Sequence, residues 1–392
     1  MFDGVRRIKM KKALIVVNLA GFLNFLWNDI EVLQKMGYQV DVAMNGRMAD
    51  GKEAIENLIL KKKNIKYYQV DFNTKQPINS ENWKAYKQLR EVLKQKYDII
   101  HCHTPIVGMI VRTAAKKYRR KGTKVIYTTH GFTFTDRSTK KEWFVYHSVE
   151  NVMSKLSDVI ITINHEDYNN AKKMHCKNVF LIPGVGLKTE RFEKIKIDRD
   201  EYRKKLGVSQ KDKLVLAVGE LSERKNQKII IKALSMLPDK NKYVFFICGR
   251  AVVDSTLDKQ LEKLAERLNV RVKLLGHRSD IPQINACADI AVLPSLREGL
   301  GMAGLEALAS GVPVVGADVQ GIREYVVNGE TGYLCNPTKE KEFANAIDRI
   351  ANMQEDEYKE MSKKCKKMAK KFDELKSKEA MKEIYTNLIK RK

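Results

Sequence analysis

A chain of 392 residues exceeds one ordinary core, so two domains are expected. The composition, 43% hydrophobic and 31% charged with no low-complexity block, is globular and excludes a disordered or fibrous protein. The formal charge of +25 points to an anionic partner (nucleic acid, anionic lipid or a phosphorylated small molecule) or to solubility alone, and separates none of these.

The residues before Met10, MFDGVRRIK, read as an extension. The most membrane-like segment follows, ALIVVNLAGFLNFLW from Ala13 to Trp27. It is shorter than the roughly 20 apolar residues of a spanning helix and is broken by Asn18, Gly21 and Asn24. A buried strand, a loop and a helix are expected there, and no secretory signal is expected. Further strands are expected at QVDVAMN, DIIHCH, KVIYTTH, DVIITIN and VFLIPG, and helices at SENWKAYKQLREVLKQKY and GMIVRTAAKKYRRKG. From Gly184 to about Lys213 the pattern pauses in a polar, charged stretch, where a domain boundary belongs. Beyond it, strands at KLVLAVG, YVFFICG, VKLLG, DIAVLP and VPVVG alternate with helices at NQKIIIKALSML, TLDKQLEKLAERLN and GMAGLEALASG. Continuous apolar strands between amphipathic helices predict α/β parallel sheets covered on both faces. The expectation is two doubly wound domains facing each other across a ligand cleft, with a closing helix after Asp373.

Six cysteines are scattered without a C-x-x-C pair, some inside apolar runs, which fits a reduced cytosol. HCH at His101–His103 has strand alternation, but no second cluster has ligand spacing, so no metal is expected.

Four stretches carry chemistry. In LPSLREGLGMAGLEALASGVPVVG, a strand runs through a glycine turn into a helix, whose amide end is a seat for phosphate near Gly301, Met302 and Ala303. Glu298 and Glu306 flank that seat. Were the intervening residues all helical, they would stand about 12 Å apart, enough to grip hydroxyls at both ends of a nucleotide sugar. The same spacing suits a solvated Glu298 and a helix-surface Glu306. LAVGELSERKNQ ends a strand at Gly219 and places Arg224 and Lys225 before a helix, suiting either a leaving diphosphate or a solvated basic turn. YTTHGFTFTD puts His130 at a strand end, as a catalyst or as a satisfied hydrogen-bonding residue. VVNLAGFLN offers Gly21 in the first strand-to-helix loop.

REGLGMAGLEALASGVPVV resembles the E-x7-E signature of the GT-B glycosyltransferases of family 4, and GELSERKNQ is similar to their donor-phosphate loop. THGF and the VVNLAG loop fall in the expected order, so the resemblance covers nearly the whole chain. HCHTPIVGMIVRTAAKKYRRKGTKVIYTTHGF resembles the branch that builds bacterial capsular and extracellular polysaccharides.

The resemblance implies a GT-B fold. Residues 1–185 would be an acceptor-binding Rossmann-like domain, 186–372 a nucleotide-sugar-binding one, and 373–392 a helix crossing back to the first. It implies retaining transfer of a hexosyl or N-acetylhexosaminyl group from a nucleotide sugar, usually UDP-linked, to a hydroxyl, with no metal and no cofactor. Glu306 would hold the ribose and Glu298 the transferred sugar. Lys225 with Arg224 would neutralise the diphosphate, and His130 would contact the donor sugar near the reacting carbon. Gly21 would let its loop approach the phosphate. The base would lie near Arg250, Leu275, Gly276 and His277. Three departures stand out: Glu220 where arginine is frequent, PGVGL (Pro183–Leu187) in place of N-G-V-D, and ICGRAVV in place of G-x-G.

Arg112 to Lys124 carries seven basic residues (Arg112, Lys116, Lys117, Arg119, Arg120, Lys121 and Lys124) and no acid. In the family the first domain binds the acceptor, here a glycan that is expected to be linked to polyprenyl diphosphate. A basic face would draw the enzyme to an anionic membrane, so a cytoplasmic protein peripheral on the inner face of the cell membrane is expected. A solvated lysine-rich face is the alternative. A nucleotide-sugar epimerase or phosphorylase of the same fold would need a different acid/base set or a cofactor lysine. A nucleic-acid-binding protein, the alternative from another class, would explain the charge and should show a recognition helix or aromatic-basic module, whereas glycines at strand ends fit nucleotide binding better.

Overall fold

The computed structural model describes residues 10–47, 51–73, 79–251 and 256–390. The extension before Met10 lies outside them, as do Val252 and Val253 of ICGRAVV. The chain forms two compact units, one running to Gly186 and resuming at Leu375, the other spanning Leu187–Glu374.

The first unit is built on β1 (Lys11–Leu19), β2 (Tyr38–Asn45), β3 (Lys66–Gln69), β4 (Ile99–His103), β5 (Lys124–Thr128), β6 (Val159–Thr162) and β7 (Val179–Leu181). They form one parallel sheet in the order β3-β2-β1-β4-β5-β6-β7. Its helices are α1 (Trp27–Lys35), α2 (Ile55–Lys62), α3 (Ser80–Val92), α4 (Pro105–Arg119), α5 (Lys140–Ser154) and α6 (His165–Ala171). Ala13 to Val17 are buried without alternation, as a strand covered on both faces requires. One face packs α3 and α4 around Leu14, Cys102, Leu89 and Val111. On the other, His101 of β4 meets Tyr385, which belongs to the final helix.

The second unit contains α7 (Glu190–Glu193), α8 (Arg199–Leu206), β8 (Lys213–Val218), α9 (Lys228–Ser235), β9 (Tyr243–Cys248), α10 (Leu257–Leu268), β10 (Val272–Gly276), α11 (Ile281–Cys287), β11 (Ile290–Leu293), α12 (Met302–Ala309), β12 (Val314–Ala317), β13 (Gly332–Cys335), α13 (Glu340–Ala351) and α14 (Glu355–Ala369). Its parallel sheet runs β10-β9-β8-β11-β12-β13. The final helix, α15 (Glu374–Lys390), belongs from Leu375 onward to the first unit, where Lys378 pairs with Glu31 of α1 at 3.1 Å.

The edge strands β3 and β13 are absent from the elements read off the sequence. Each has only four residues; KYYQ of β3 is bounded by polar side chains, and GYLC of β13 is too short an apolar run to stand out.

The basic stretch needs a correction. Arg112 is fully buried on the inner side of α4. Its Nη2 lies 2.8 Å from Glu150 Oε2, and its guanidinium stacks 4.0 Å from the Tyr127 ring centroid. It therefore holds α4 to α5 and is no part of the surface. Arg119 is half-buried against Asp158 at 3.0 Å and Lys124 is half-buried at the start of β5. Lys116, Lys117, Arg120 and Lys121 are exposed.

Candidate functional site

In the second unit two loops meet at the carboxyl edge of the sheet. β8 leads through Gly219–Gln227 into α9, and β11 leads through Pro294–Gly301 into α12. β8 and β11 are neighbours where the strand order reverses, the position at which open α/β sheets bind ligands. The loops are joined by Leu296 N donating to Arg224 O at 2.8 Å. Asn226 Nδ2 donates to Pro294 O at 3.1 Å and Pro337 O at 2.9 Å. Asn226 has φ +56°, a left-handed conformation that asparagine tolerates better than most residues.

The loops carry a compact charge cluster. Lys225 Nζ lies 2.7 Å from Glu298 Oε2, and Arg224 Nη1 lies 3.4 Å from the same oxygen. Arg224 Nη2 lies 2.8 Å from Glu220 Oε1, so the residue that replaces a frequent arginine occupies one side of this guanidinium. Ser295 Oγ donates to Glu298 at 3.2 Å. Burial pushes the Glu298 carboxyl up, but Lys225 and Arg224 together outweigh it and hold the group below its usual range.

Behind the cluster, α12 begins without a side-chain cap. Gly301 stands at its N-cap with φ +83°, and no side chain among the described residues caps the first-turn amides, those of Met302 and Ala303 included, at the positive end of the helix. The close fit there needs glycine: a Cβ on Gly301 or Gly304 would lie 2.8 or 2.4 Å from Tyr325 Oη, which itself donates to Gly301 O at 3.0 Å. Glu306 sits one turn into α12. Its carboxyl has no hydrogen-bond partner among the described residues, and burial raises it from 4.5 to about 7 against the opposing pull of Arg191. The 12 Å helical ruler between the two glutamates does not apply, because the helix starts only at Met302 and Gly301 takes a left-handed turn.

A third patch adjoins these loops. A Cβ on Gly249 would lie 1.7 Å from Gly219 O, so the ends of β8 and β9 touch backbone to backbone. Gly249 N donates to Gly276 O at 2.8 Å, and Leu221 N to Arg250 O at 3.0 Å. Gly219, Arg250 and Gly276 are thereby brought side by side, with Leu275 half-buried and Arg250 and His277 exposed.

In the first unit the corresponding reversal lies between β1 and β4. His130, just past β5, has φ +55° and Thr104, just past β4, has φ +67°; both are sparsely populated conformations for residues with a side chain. His103 Nδ1 lies 3.0 Å from His130 Nε2, and Phe22 packs edge-on to His130 at 4.9 Å. Asn18 Oδ1, His103 Nε2 and Thr104 Oγ1 are buried here with no hydrogen-bond partner among the described residues. Such orphans are rare in folded proteins and mark a place for a ligand or water. Burial lowers His130 to about 3, and lowers His101 likewise with help from His130, so both rings are neutral at ordinary pH. Gly21 is exposed, and a Cβ there would meet nothing within 4 Å, so the protein's own packing does not require glycine at this point.

Residues 24–184 match the family described as Glycosyltransferase Family 4, and residues 198–372 match Glycosyl transferases group 1. EpsD of Bacillus subtilis (strain 168), itself named as a glycosyltransferase, is 34% identical over 361 residues, 90% of each chain. The chain belongs to the family-4 glycosyltransferases. This glycosyltransferase is also 30% identical, over 78% of each chain, to the Escherichia coli UDP-Gal:alpha-D-GlcNAc-diphosphoundecaprenol alpha-1,3-galactosyltransferase. Among solved structures, Anabaena Alr3699/HepE in complex with UDP and glucose shares its fold, with a TM-score of 0.78 at 20% identity over 96% of this chain and 100% of that one. The fold is GT-B.

Asp29, His101 and His103 of this glycosyltransferase offer ligand atoms within 4.8 Å of one another. The donor set does not suit a cation as the side chains stand. Both ring nitrogens of His101 are engaged at 2.8 Å by hydroxyls of Tyr385 and Thr128, and His103 Nδ1 is engaged by His130. The histidines form two separate hydrogen-bonded groups, Tyr385–His101–Thr128 and His103–His130. His103 was legible as the second histidine of HCH, since alternate strand residues share a face, but nothing in the sequence placed it against His130. Asn226 and Tyr325, which shape the two loops of the second unit, carry no sequence signal beyond the loops themselves.

Proposed function

We propose that this glycosyltransferase moves a hexosyl or N-acetylhexosaminyl group, with retention, from a UDP-linked donor to a glycan hydroxyl. The acceptor would be a glycan on polyprenyl diphosphate, assembled into capsular or extracellular polysaccharide at the inner face of the cytoplasmic membrane. The observation that carries the reading is the Lys225–Arg224–Glu298 cluster beside the uncapped start of α12. The UDP complex of the fold relative and the lipid-linked acceptor named for the Escherichia coli relative support the choice of donor and acceptor.

In this reading the donor diphosphate lies along the amides of Met302 and Ala303 and displaces Glu298 from Lys225. Lys225 and Arg224 then stabilise the charge that grows on the leaving phosphate as the bond to the sugar carbon breaks. The freed Glu298 accepts from hydroxyls of the transferred sugar, and Glu306 accepts from the ribose. Leu275, Gly276, His277 and Arg250 border the base, Gly219 lets the backbone approach, and Gly21 leaves room at its loop. His130, neutral, donates or accepts at the sugar near the reacting carbon. The departing phosphate takes the acceptor's proton, so neither a protein base nor a metal is required.

A screen of nucleotide sugars against a mixture of lipid-linked acceptors, read by mass and followed by assignment of the new linkage, tests this. Sugar transfer with unchanged anomeric configuration is expected. Inversion, or conversion of the nucleotide sugar to an isomer without any transfer, would overturn it.

A further inference from the structure

The helix α5 turns an apolar surface outward. A capping box of Thr139 and Glu142 fixes its start. Its inner side is well occupied: Trp143 stacks on His147 with centroids 4.3 Å apart, both lie edge-on to Phe134, and Glu150 and Ser154 are buried. Yet Phe144 is 68% exposed, Val152 59%, Val145 48% and Val149 44%. At about 100° per residue these four side chains fall in one arc of roughly 140°, and Lys141 and Lys155 project into the same arc. Single exposed apolar residues need no explanation, whereas a contiguous face of them marks a contact surface.

Cations border that face. Arg119, at the end of α4, donates to Lys155 O at 3.1 Å and pairs with Asp158. The exposed Lys116, Lys117, Arg120 and Lys121 therefore lie on the segment that abuts the carboxyl end of α5. Lys140 and Lys141 stand exposed at its other end. The nearby acids are engaged internally, Glu142 in the capping box, Asp158 with Arg119 and Glu150 with Arg112.

We propose that the outer face of α5 is the surface by which this enzyme docks on an anionic bilayer. Phe144, Val145 and Val152 enter the boundary between headgroups and acyl chains, and the bordering lysines and arginines meet anionic headgroups. A second copy of the chain fits less well, because a two-fold contact through this face would bring two basic rims together. The inference rests on the membrane reading above for its partner and is independent of the donor chemistry. It moves the contact from the basic run itself to the apolar helix which that run borders.

The test is co-sedimentation with phosphatidylcholine vesicles and with vesicles that also contain phosphatidylglycerol. The native chain is compared with a triple variant, Phe144→Ser with Val145→Ser and Val152→Ser, and with Ile55→Ser/Leu58→Ser, which removes exposed apolar groups from α2. The native chain and the α2 variant should bind the anionic vesicles, and the triple variant should bind them at least about tenfold more weakly while melting as the native chain does. Phe144→Trp should bind like the native chain, and its emission should shift to the blue on anionic vesicles alone. Equal binding by the triple variant, or loss only in the α2 variant, would overturn the α5 assignment and leave the membrane reading standing. Failure of the native chain to bind either vesicle would overturn both. A dimer that the triple variant dissociates, without vesicle binding, would assign the face to a second copy instead.

Discussion

Lys225 and Glu298 are in direct contact, Nζ to Oε2 at 2.7 Å, across two loops that the strand order brings together. The ammonium group is thus already neutralised by an internal anion. Any phosphate that lands there exchanges one partner for another instead of filling an empty positive hole. Lys225→Ala is expected to lower kcat by about 10²–10³-fold, since the growing leaving-group charge loses its cation. Glu298→Gln should lower kcat while tightening UDP, because the displaced competitor is gone. Steady-state turnover beside calorimetric UDP titration checks both, and normal turnover of Lys225→Ala would remove its role.

Glu306 is raised from 4.5 to about 7, so the folded chain holds this proton where the unfolded chain has lost it. The folded state then binds more protons between these two values, and stability falls as pH rises through that window. Glu306→Gln has no charge to bury. Its melting temperature should exceed that of the native chain more at pH 8 than at pH 5, while its affinity for UDP falls. Thermal melts at the two pH values and a UDP titration suffice, and a pH-independent difference would contradict the buried carboxyl.

His101, His103 and His130 are held neutral by burial, and all three are lowered. Below pH 6.5 the unfolded chain protonates its histidines and the folded chain does not, so acid erodes stability from that value downward. His103→Asn should weaken that dependence and, with an amide able to meet His130, retain most of kcat. His103→Ala should lose up to about 10²-fold in kcat through a misplaced His130, with little change in KM. Equal kcat in the two variants would show that His103 does not position His130.

Arg112→Met leaves Glu150 buried without its cation and should destabilise the protein by about 3–5 kcal/mol in denaturant unfolding. Arg120→Gln, on the exposed side of the same stretch, should change stability by less than about 0.5 kcal/mol. Two equal losses would mean that the burial of Arg112 is immaterial.

Central elements were readable from sequence because burial on both faces writes an unbroken apolar run, as in β1 and β11. The edge strand β3 lacks that run and β13 has only a short one, and the outward face of α5 offers no inward periodicity to read. Arg112 was misread for a related reason. A charge count along a sequence does not register that the side chain turns inward to a carboxylate 38 residues away. At the candidate site, Glu298, Lys225 and Gly301 announce themselves through glycine and charge at a strand-to-helix turn. The partnerships of Lys225 with Glu298, across 73 residues, and of His103 with His130 depend on strand order, which local pattern does not encode.

Tyr325 reaches back to hold the carbonyl of Gly301, and two glycines leave room for its ring. The opening turn of α12 is consequently drawn taut by a buried phenol lying well downstream, not by any group at the turn itself. Its amides are aligned in advance, so the nucleotide binding proposed above would ask little further ordering of them. A Tyr325 change would therefore be felt at the amides of that turn.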